Sequence, residues 1–320
     1  MKKVLFLAPR LDVTFKEGPV PIERGGVPAV RIPWLNIRSM IFNEHKKRGD
    51  DVKVLELPLW QFTPQLIQSL SPDLCYVPHK MVDNFLVGGV NIMYYMQTVI
   101  PYLFTIDKSG WGASASGYPF TSFTEPSNSN MSGFDTLAKR IHQNYSKFRQ
   151  PDHKDIALPS DYVLYLCQIP HDETIRYHSN VSVQEAITRT CEATEKLGLP
   201  LVIKGHPVNP GSMEPLRQIA NKYRHVIWMD DVSIHQLIPS ARAVVVVNSG
   251  TGLESLLHQR PVVTFGRADY DVVTNRVVGD NLQELLAEPK FDQVAVKNFV
   301  NNWYGSCYDT LDQTSFSKLP

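Results

Sequence analysis

The sequence predicts an α/β protein made of two Rossmann-like, doubly wound domains that face each other across a cleft. At 320 residues the chain is too long for one ordinary α/β core and fits two domains of about 150 residues each. Short apolar runs alternate with helical patterns in both halves. The strongest strand signal, AVVVV at residues 243–247, is a continuous β-branched run typical of a parallel strand buried on both faces.

The first half opens with a βαβ pattern. Strands are predicted at residues 3–8, 52–57, 74–77 and 102–106, and helices at residues 34–48 and 134–148. The fourth strand leads into TIDKSGWGASASG, residues 105–117, whose small side chains would let a ligand approach the backbone.

The second half restarts the alternation at YVLYLC, residues 162–167. Further strands are predicted at residues 199–204, 225–229, 243–247 and 260–265. Ser182 and Glu185 form a capping box that begins a helix, and Gly198 ends it. We therefore predict a first domain at residues 1–158, a second domain at 159–300, and a tail at 301–320 that packs back on the first domain.

Composition excludes several function classes. The chain has 32 basic and 32 acidic side chains and no long run of either sign, which argues against a nucleic-acid partner. The four cysteines lack the spacing of a zinc site. The opening apolar run is too short for a signal peptide, and no segment reaches the roughly 20 apolar residues of a membrane span. We predict a cytoplasmic protein.

Polar residues follow three strands of the second half. The segments are QIPHDET at residues 168–174, KGHP at 204–207 and NSGTGLES at 248–255. Because the carboxyl ends of parallel strands share one edge of a sheet, these segments should converge where open α/β sheets bind ligands.

Ser249, Gly250 and Thr251 offer backbone N–H groups and hydroxyls that suit a phosphate, although an ordinary helix cap would use the same residues. Glu254, one turn on, either reaches a ribose hydroxyl or favours the start of the helix. His206, close to Lys204, either supplies positive charge to the phosphate or is a structural or solvated histidine.

Two carboxylates are candidate catalytic groups. Asp172 is either a nucleophile or base, or a turn aspartate that caps the segment after it. Asp107 ends a strand of the other domain. One carboxylate from each domain suits glycosyl transfer, in which one group attacks the anomeric carbon and another handles a proton.

With these segments in place, residues 162–271 resemble the nucleotide-binding half of the bacterial capsule polysaccharide biosynthesis family, which includes the β-Kdo glycosyltransferases. The motifs that carry the resemblance are QIPHDETI, LVIKGHPVNPGS and VVVVNSGTGLESLLHQRPVVTFGRADY. The resemblance implies a GT-B fold and a CMP-activated sugar as co-substrate, with neither a cofactor nor a metal. It also implies that His206, Ser249 and Thr251 hold the CMP phosphate and that Glu254 lies near the ribose.

In retaining members the aspartate of the Gln-x-Pro-x-Asp segment is the nucleophile, which falls here on Asp172, with Gln168 beside it. Lys204, Pro207 and Gly250 complete the predicted donor-binding set. The loop after residue 106 resembles the acceptor-side loop of such enzymes and gives Asp107 the proton-transfer role.

These inferences predict a transferase that moves Kdo, or a related 3-deoxy-ulosonic acid, from its CMP derivative to a glycan or glycolipid, with retention through Asp172. Its location would be the cytoplasm or, by peripheral association, the cytoplasmic face of the inner membrane. An inverting, sialyltransferase-like enzyme or one using UDP- or GDP-sugars is a second reading. A non-catalytic module that binds nucleotide or glycan is a third.

Overall fold

The computed structural model describes residues 1–11, 31–78, 87–126, 132–143, 146–148, 150–207 and 210–320. The chain divides into two compact units, one made of residues 1–118 and 305–320, the other of residues 119–304. Each unit contains one six-stranded sheet with helices, so the predicted α/β class is confirmed.

The first unit has the strand order β12-β5-β4-β3-β1-β2. Its strands are β1 (Lys3–Pro9), β2 (Asp51–Leu57), β3 (Leu74–Pro78), β4 (Asn91–Gln97), β5 (Leu103–Asp107) and β12 (Tyr308–Asp309). Its helices are α1 (Ile32–Lys47) and α2 (Pro64–Leu70). The four strands β1 to β4 are parallel.

Strand β5 runs antiparallel to β4, which the sequence analysis did not anticipate because it missed β4. Only residues 98–102 join the two strands, and a parallel crossover needs a dozen residues or more, so the connection must be a hairpin. Asp107 pairs with Tyr94, the middle residue of β4. Because β5 is antiparallel, the chain after Asp107 runs towards the edge where the parallel strands begin, and not towards the edge that a parallel strand would have reached.

The second unit has the strand order β11-β10-β9-β6-β7-β8, and every pair is parallel. Its strands are β6 (Tyr162–Leu166), β7 (Leu201–Lys204), β8 (Val226–Met229), β9 (Ala241–Val246), β10 (Val262–Thr264) and β11 (Asn275–Arg276). Its helices are α3 (Gly133–His142), α4 (Glu173–His178), α5 (Val183–Leu197), α6 (Glu214–Ala220), α7 (Ile234–Leu237), α8 (Thr251–Leu257), α9 (Leu282–Ala287) and α10 (Gln293–Ser306).

Helix α5 shows how local sequence defines the elements of this unit. The Ser182 hydroxyl accepts a hydrogen bond from the backbone N–H of Glu185 at 3.1 Å, as the capping box predicts. Gly198 ends the helix with φ +65°, a backbone conformation that favours glycine. The apolar face of the helix, including Ile187 and Cys191, packs into the core formed with β6, β7 and β9.

The division between the units differs from the predicted boundary at residue 158. Residues 119–158 group with the second unit because helix α3 packs against α8, and because the backbone N–H of Phe134 donates to the Asn301 side chain of α10 at 2.8 Å. The final residues, 305–320, group with the first unit, where β12 pairs with β5.

Candidate functional site

The three predicted segments follow β6, β7 and β9, which are neighbours in the parallel sheet of the second unit. Leu166 pairs with Lys204 across β6 and β7, and Tyr165 pairs with Val245 across β6 and β9. The three strands therefore end at one edge of the sheet, and the three segments follow from that edge as predicted. We refer to this edge as the carboxyl edge.

Gln168, predicted to bind the donor, joins two of these segments. Its Nε2 group donates to Thr174 Oγ1 at 2.6 Å and to Asn248 Oδ1 at 3.0 Å, while its Oε1 accepts from the Asn248 backbone N–H at 3.4 Å. The Asn248 Nδ2 group then donates to the Thr174 carbonyl at 2.8 Å. Both amide protons of Gln168 are used in these hydrogen bonds, so its Nε2 group holds the two segments together and does not donate to a ligand.

Asp172 is the N-cap of α4. Its Oδ1 accepts from the backbone N–H of Thr174 at 2.8 Å and from Thr174 Oγ1 at 2.7 Å. The capping interpretation of this residue is therefore correct as local structure. Both bonds use the same oxygen, so the cap does not involve Oδ2 and is compatible with a nucleophilic role for that atom.

Lys204 is only 3% exposed, and its ammonium donates to the carbonyls of Gly205 at 2.9 Å and Asp230 at 2.6 Å. Burial lowers the pKa of Lys204, and the charge of Asp230 opposes that shift. The side chain thus joins the ends of β7 and β8. His206 is half-buried and Pro207 exposed, so these two residues form the accessible part of the motif.

The small-residue loop turns directly into α8. Ser249 Oγ accepts from the Thr251 backbone N–H at 3.3 Å and from Thr251 Oγ1 at 2.9 Å. The phenol of Tyr270 donates to the Ser249 carbonyl. Gly252 lies against this ring, because a Cβ built on it would come within 2.3 Å of the Tyr270 hydroxyl oxygen.

Glu254, on α8, is 1% exposed and belongs to a chain of hydrogen bonds. Its Oε1 accepts from the Ser146 hydroxyl. Ser146 Oγ lies 2.7 Å from His235 Nε2, and His235 Nδ1 lies 2.9 Å from His258 Nε2. Burial raises the pKa of Glu254 to about 8 and lowers the pKa of His235 to about 3 and of His258 to about 4.

Because both imidazoles are neutral, the protons of this hydrogen-bond chain can be arranged in two ways. If Ser146 donates to an ionised Glu254, His235 must donate to Ser146 and His258 must donate to His235, because each ring has one N–H and one acceptor nitrogen. If Glu254 is protonated at Oε1 and donates, every bond reverses. This hydrogen-bond chain is therefore compatible with both the protonated and the ionised form of Glu254.

The segment Ser146–Phe148, here called the bridging segment, is the part of the site that the sequence analysis missed. Ser146 bonds to Glu254, and the Phe148 ring meets the His206 ring edge-on with centroids 5.3 Å apart. Lys147, between them, interacts electrostatically with Asp172. Ser146 thus contacts the segment after β9 and Phe148 contacts the segment after β7, and the strand between these two, β6, precedes the Asp172 segment. The sequence analysis placed this segment in a helix of residues 134–148, but helix α3 ends at His142, and the predicted boundary at residue 158 had assigned the bridging segment to the other domain.

Glu254 gives a pH-dependent prediction. Between the unfolded value of about 4.5 and the folded pKa of about 8, the folded state binds the proton that the unfolded state has released. The free energy of unfolding must therefore fall as pH rises, by up to about 1.4 kcal/mol per pH unit. Glu254→Gln removes this pH dependence. The free energy of unfolding of the variant should therefore equal that of the wild type near pH 5 and exceed it at pH 8.

Unfolding by urea at several pH values would measure this difference. Glu288→Gln removes an exposed carboxyl of the same unit and is the control, expected to give no pH-dependent difference. The histidine contributions cancel because both proteins retain His235 and His258. A difference between Glu254→Gln and wild type that stays constant from pH 5 to 8 would contradict the prediction.

Asp107, in the first unit, accepts hydrogen bonds from its own loop. Its Oδ1 accepts hydrogen bonds from the backbone N–H groups of Ser109 at 2.7 Å and Ser116 at 2.9 Å. Its Oδ2 accepts one from the Ser116 hydroxyl at 2.7 Å. Both carboxylate oxygens therefore hold the loop of residues 105–117 in shape. The proton-transfer role assigned to Asp107 stays a prediction, and these bonds do not favour it.

The two α/β units define the class of fold, which is GT-B. KpsC from Thermosulfurimonas dismutans, a beta Kdo 2,7 transferase, has a similar structure with a TM-score of 0.56, over 94% of this chain and 90% of that chain at 15% identity. At this identity the likeness establishes the fold alone.

Residues 124–275, just under half of the chain, match the model of the family described as capsule polysaccharide biosynthesis protein. The resemblance predicted from the motifs is thereby confirmed. The capsule polysaccharide export protein KpsS of Escherichia coli is 29% identical over 152 residues, which cover 44% of this chain and 39% of KpsS. The capsule polysaccharide modification protein LipB of Neisseria meningitidis serogroup A is 32% identical over 79 residues, 22% of this chain and 19% of LipB. The matches therefore span less than half of either relative.

Within the described residues, no helix has the length and apolar character needed to cross a membrane. In the same part of the chain, no three or more His, Cys, Asp or Glu side chains form a cluster that could hold a metal ion.

Proposed function

We propose that this protein is a glycosyltransferase that moves Kdo, or a related 3-deoxy-ulosonic acid, from its CMP derivative to a glycan or glycolipid acceptor. One observation carries the proposal. Within the region that matches the family, the carboxyl edge brings Asp172, His206 and the loop Ser249–Thr251 together. The described function of the structurally similar KpsC, a beta Kdo transferase, supports the choice of sugar.

The proposed reaction is a double displacement at the anomeric carbon. The Asp172 carboxylate attacks this carbon as the bond to the phosphate oxygen of CMP breaks, which forms a glycosyl ester and releases CMP. An acceptor hydroxyl then attacks the same carbon from the opposite face, loses its proton to a base, and frees the Asp172 carboxylate. Two inversions give net retention.

His206, Ser249 and Thr251 are the proposed phosphate-binding residues. The half-buried imidazole of His206 and the two hydroxyls can donate hydrogen bonds to the leaving phosphate, so that no metal is needed. Glu254, anchored by Ser146, is proposed to lie near the cytidine ribose. In this proposal the Oε2 atom, which the bond to Ser146 does not use, accepts from a ribose hydroxyl, as the oxygen of either a carboxyl or a carboxylate group can.

Nucleotide binding is the first test. Titration calorimetry without added metal should show that CMP binds more tightly than UMP, UDP or GDP. His206→Ala should weaken CMP binding by about 10- to 100-fold, since a hydrogen bond to a charged group contributes about 1.5–3 kcal/mol. His153→Ala, which removes an exposed histidine of the same unit, is the matched control.

A chain that binds UDP or GDP in preference to CMP would contradict the donor assignment and favour the alternative GT-B transferases. CMP binding that survives His206→Ala unchanged would contradict the placement of the phosphate. The hydrogen bonds that occupy Asp107 favour a second candidate, a non-catalytic module that binds nucleotide or glycan. Selective CMP binding without transfer to any acceptor, and without hydrolysis of the donor, would support that candidate.

A further inference from the structure

Lys147 lies at the centre of the bridging segment and is held by its two neighbours. On one side, Ser146 bonds to Glu254 and His235. On the other, Phe148 packs its ring against His206. The Lys147 ammonium stands 5.8 Å from the centroid of the Phe148 ring, so the side chain lies along the carboxyl edge.

Lys147 is half-buried. Its two neighbours contact the segments that follow β9 and β7, and β6 lies between these strands, so Lys147 lies beside the segment after β6 that holds Asp172. Burial lowers the pKa of Lys147, and the negative charge of Asp172 opposes that shift. In the described part of the chain no carboxylate lies within 4.0 Å of this ammonium, which is the range of a direct ion pair. Because removing a cation from water without such a pair is costly, the position suits a lysine whose anionic partner comes with a ligand.

The chemistry of the donor identifies which anionic group this would be. In a 3-deoxy-ulosonic acid the anomeric carbon itself carries the carboxylate, whereas in an aldose it carries a hydrogen. A nucleophile that attacks this carbon must come within about 3–3.5 Å of it, so the sugar carboxylate lies next to the attacking carboxylate. Two such negative charges repel each other, and a cation between them removes the repulsion.

We propose that Lys147 is a specificity-determining residue that binds the carboxylate on the anomeric carbon of the donor sugar beside Asp172. This inference rests on the proposed function, because it takes Asp172 as the attacking group and a ulosonic acid as the sugar. It assigns to the bridging segment the discrimination between acidic and neutral sugars. In this proposal, His206 and the small-residue loop still bind the phosphate.

Lys147→Met and Lys147→Arg test the inference, with two measurements on each variant. The first is the affinity for CMP, which lacks the sugar and its carboxylate. The second is the KM for CMP-Kdo in donor hydrolysis or transfer. Lys147→Met should raise the KM about 10- to 100-fold and leave CMP affinity within about twofold, whereas Lys147→Arg should keep most of the donor affinity.

Lys139→Met is the matched control, because it removes one exposed lysine from α3 of the same unit. Unchanged CMP affinity also shows that the Lys147 variants are folded. An unchanged KM in Lys147→Met would overturn the inference and leave the proposed function standing. Equal losses of CMP and donor affinity would overturn it too, because Lys147 would then bind the phosphate. A wild type that neither binds CMP nor consumes CMP-Kdo would overturn the proposed function and this inference with it.

Discussion

Asp172→Asn should reduce transfer from CMP-Kdo by at least about 1,000-fold, because it removes the proposed nucleophile. Affinity for CMP should remain near that of the wild type, since the phosphate is assigned to His206 and the small-residue loop. Rates of donor consumption and calorimetric titration of CMP would measure the two effects separately.

Asparagine is a better test than alanine because Asp172 also caps α4. Its Oδ1 accepts from Thr174 at two atoms, and alanine would lose this cap at a cost of about 1 kcal/mol. Asparagine keeps an oxygen at the same place and caps helices about as well as aspartate. A loss of activity in Asp172→Asn can therefore be assigned to chemistry.

Asp312→Asn is a matched control for this substitution. Asp312 accepts from the backbone N–H of Thr314 at 3.0 Å and from Thr314 Oγ1 at 2.7 Å, which is the same local geometry in the first unit. This variant should retain full transfer activity. Full activity of Asp172→Asn would remove Asp172 from the mechanism, and a product with inverted anomeric configuration, seen by NMR, would favour the sialyltransferase-like alternative.

Gly252→Ala should destabilise the second unit by about 2–3 kcal/mol, because the added methyl group has no room. A Cβ at Gly252 would lie 2.3–2.7 Å from three atoms of Tyr270, whose ring is buried. The ring cannot retreat without breaking its hydrogen bond to the Ser249 carbonyl. We expect a fall in Tm of about 5–10 °C for a unit of this size, together with weaker CMP binding because the small-residue loop shifts.

Gly305→Ala makes the same substitution where space is open. Apart from its chain neighbours and the backbone of its own helix, no atom of the described residues lies within 4 Å of a Cβ built at Gly305, near the end of α10. Alanine there should be neutral or stabilising by up to about 1 kcal/mol, because glycine is the weaker helix former. Thermal unfolding of both variants provides the comparison. A Tm for Gly252→Ala equal to that of the wild type would contradict the packing argument.

Much of the second unit could be predicted from the sequence because its strands are buried on both faces. A strand such as β9 must then be apolar throughout and parallel to its neighbours, and helices must cover it. Given parallel strands, the polar residues that follow β6, β7 and β9 can only meet at one edge. The motifs of the predicted donor site were therefore located without coordinates.

The first unit was harder to predict because its topology depends on a short connection. Strand β4, NIMYYMQ, was missed, and without it β5 could not be recognised as the second strand of a hairpin. The direction of β5 decides towards which edge of the sheet the loop after Asp107 runs. Its carboxylate is also occupied by the N–H and hydroxyl groups of the loop that follows it.

The sequence by itself determined the α/β class, the parallel sheet of the second unit, its caps and the family resemblance, because each depends on residue order over a few tens of residues. Only the tertiary structure decided which partners those residues meet. It joined Glu254 to Ser146, more than 100 positions earlier in the chain, and placed the Phe148 ring against His206. Such contacts depend on how distant segments pack together, and periodicity and spacing describe only neighbours along the chain.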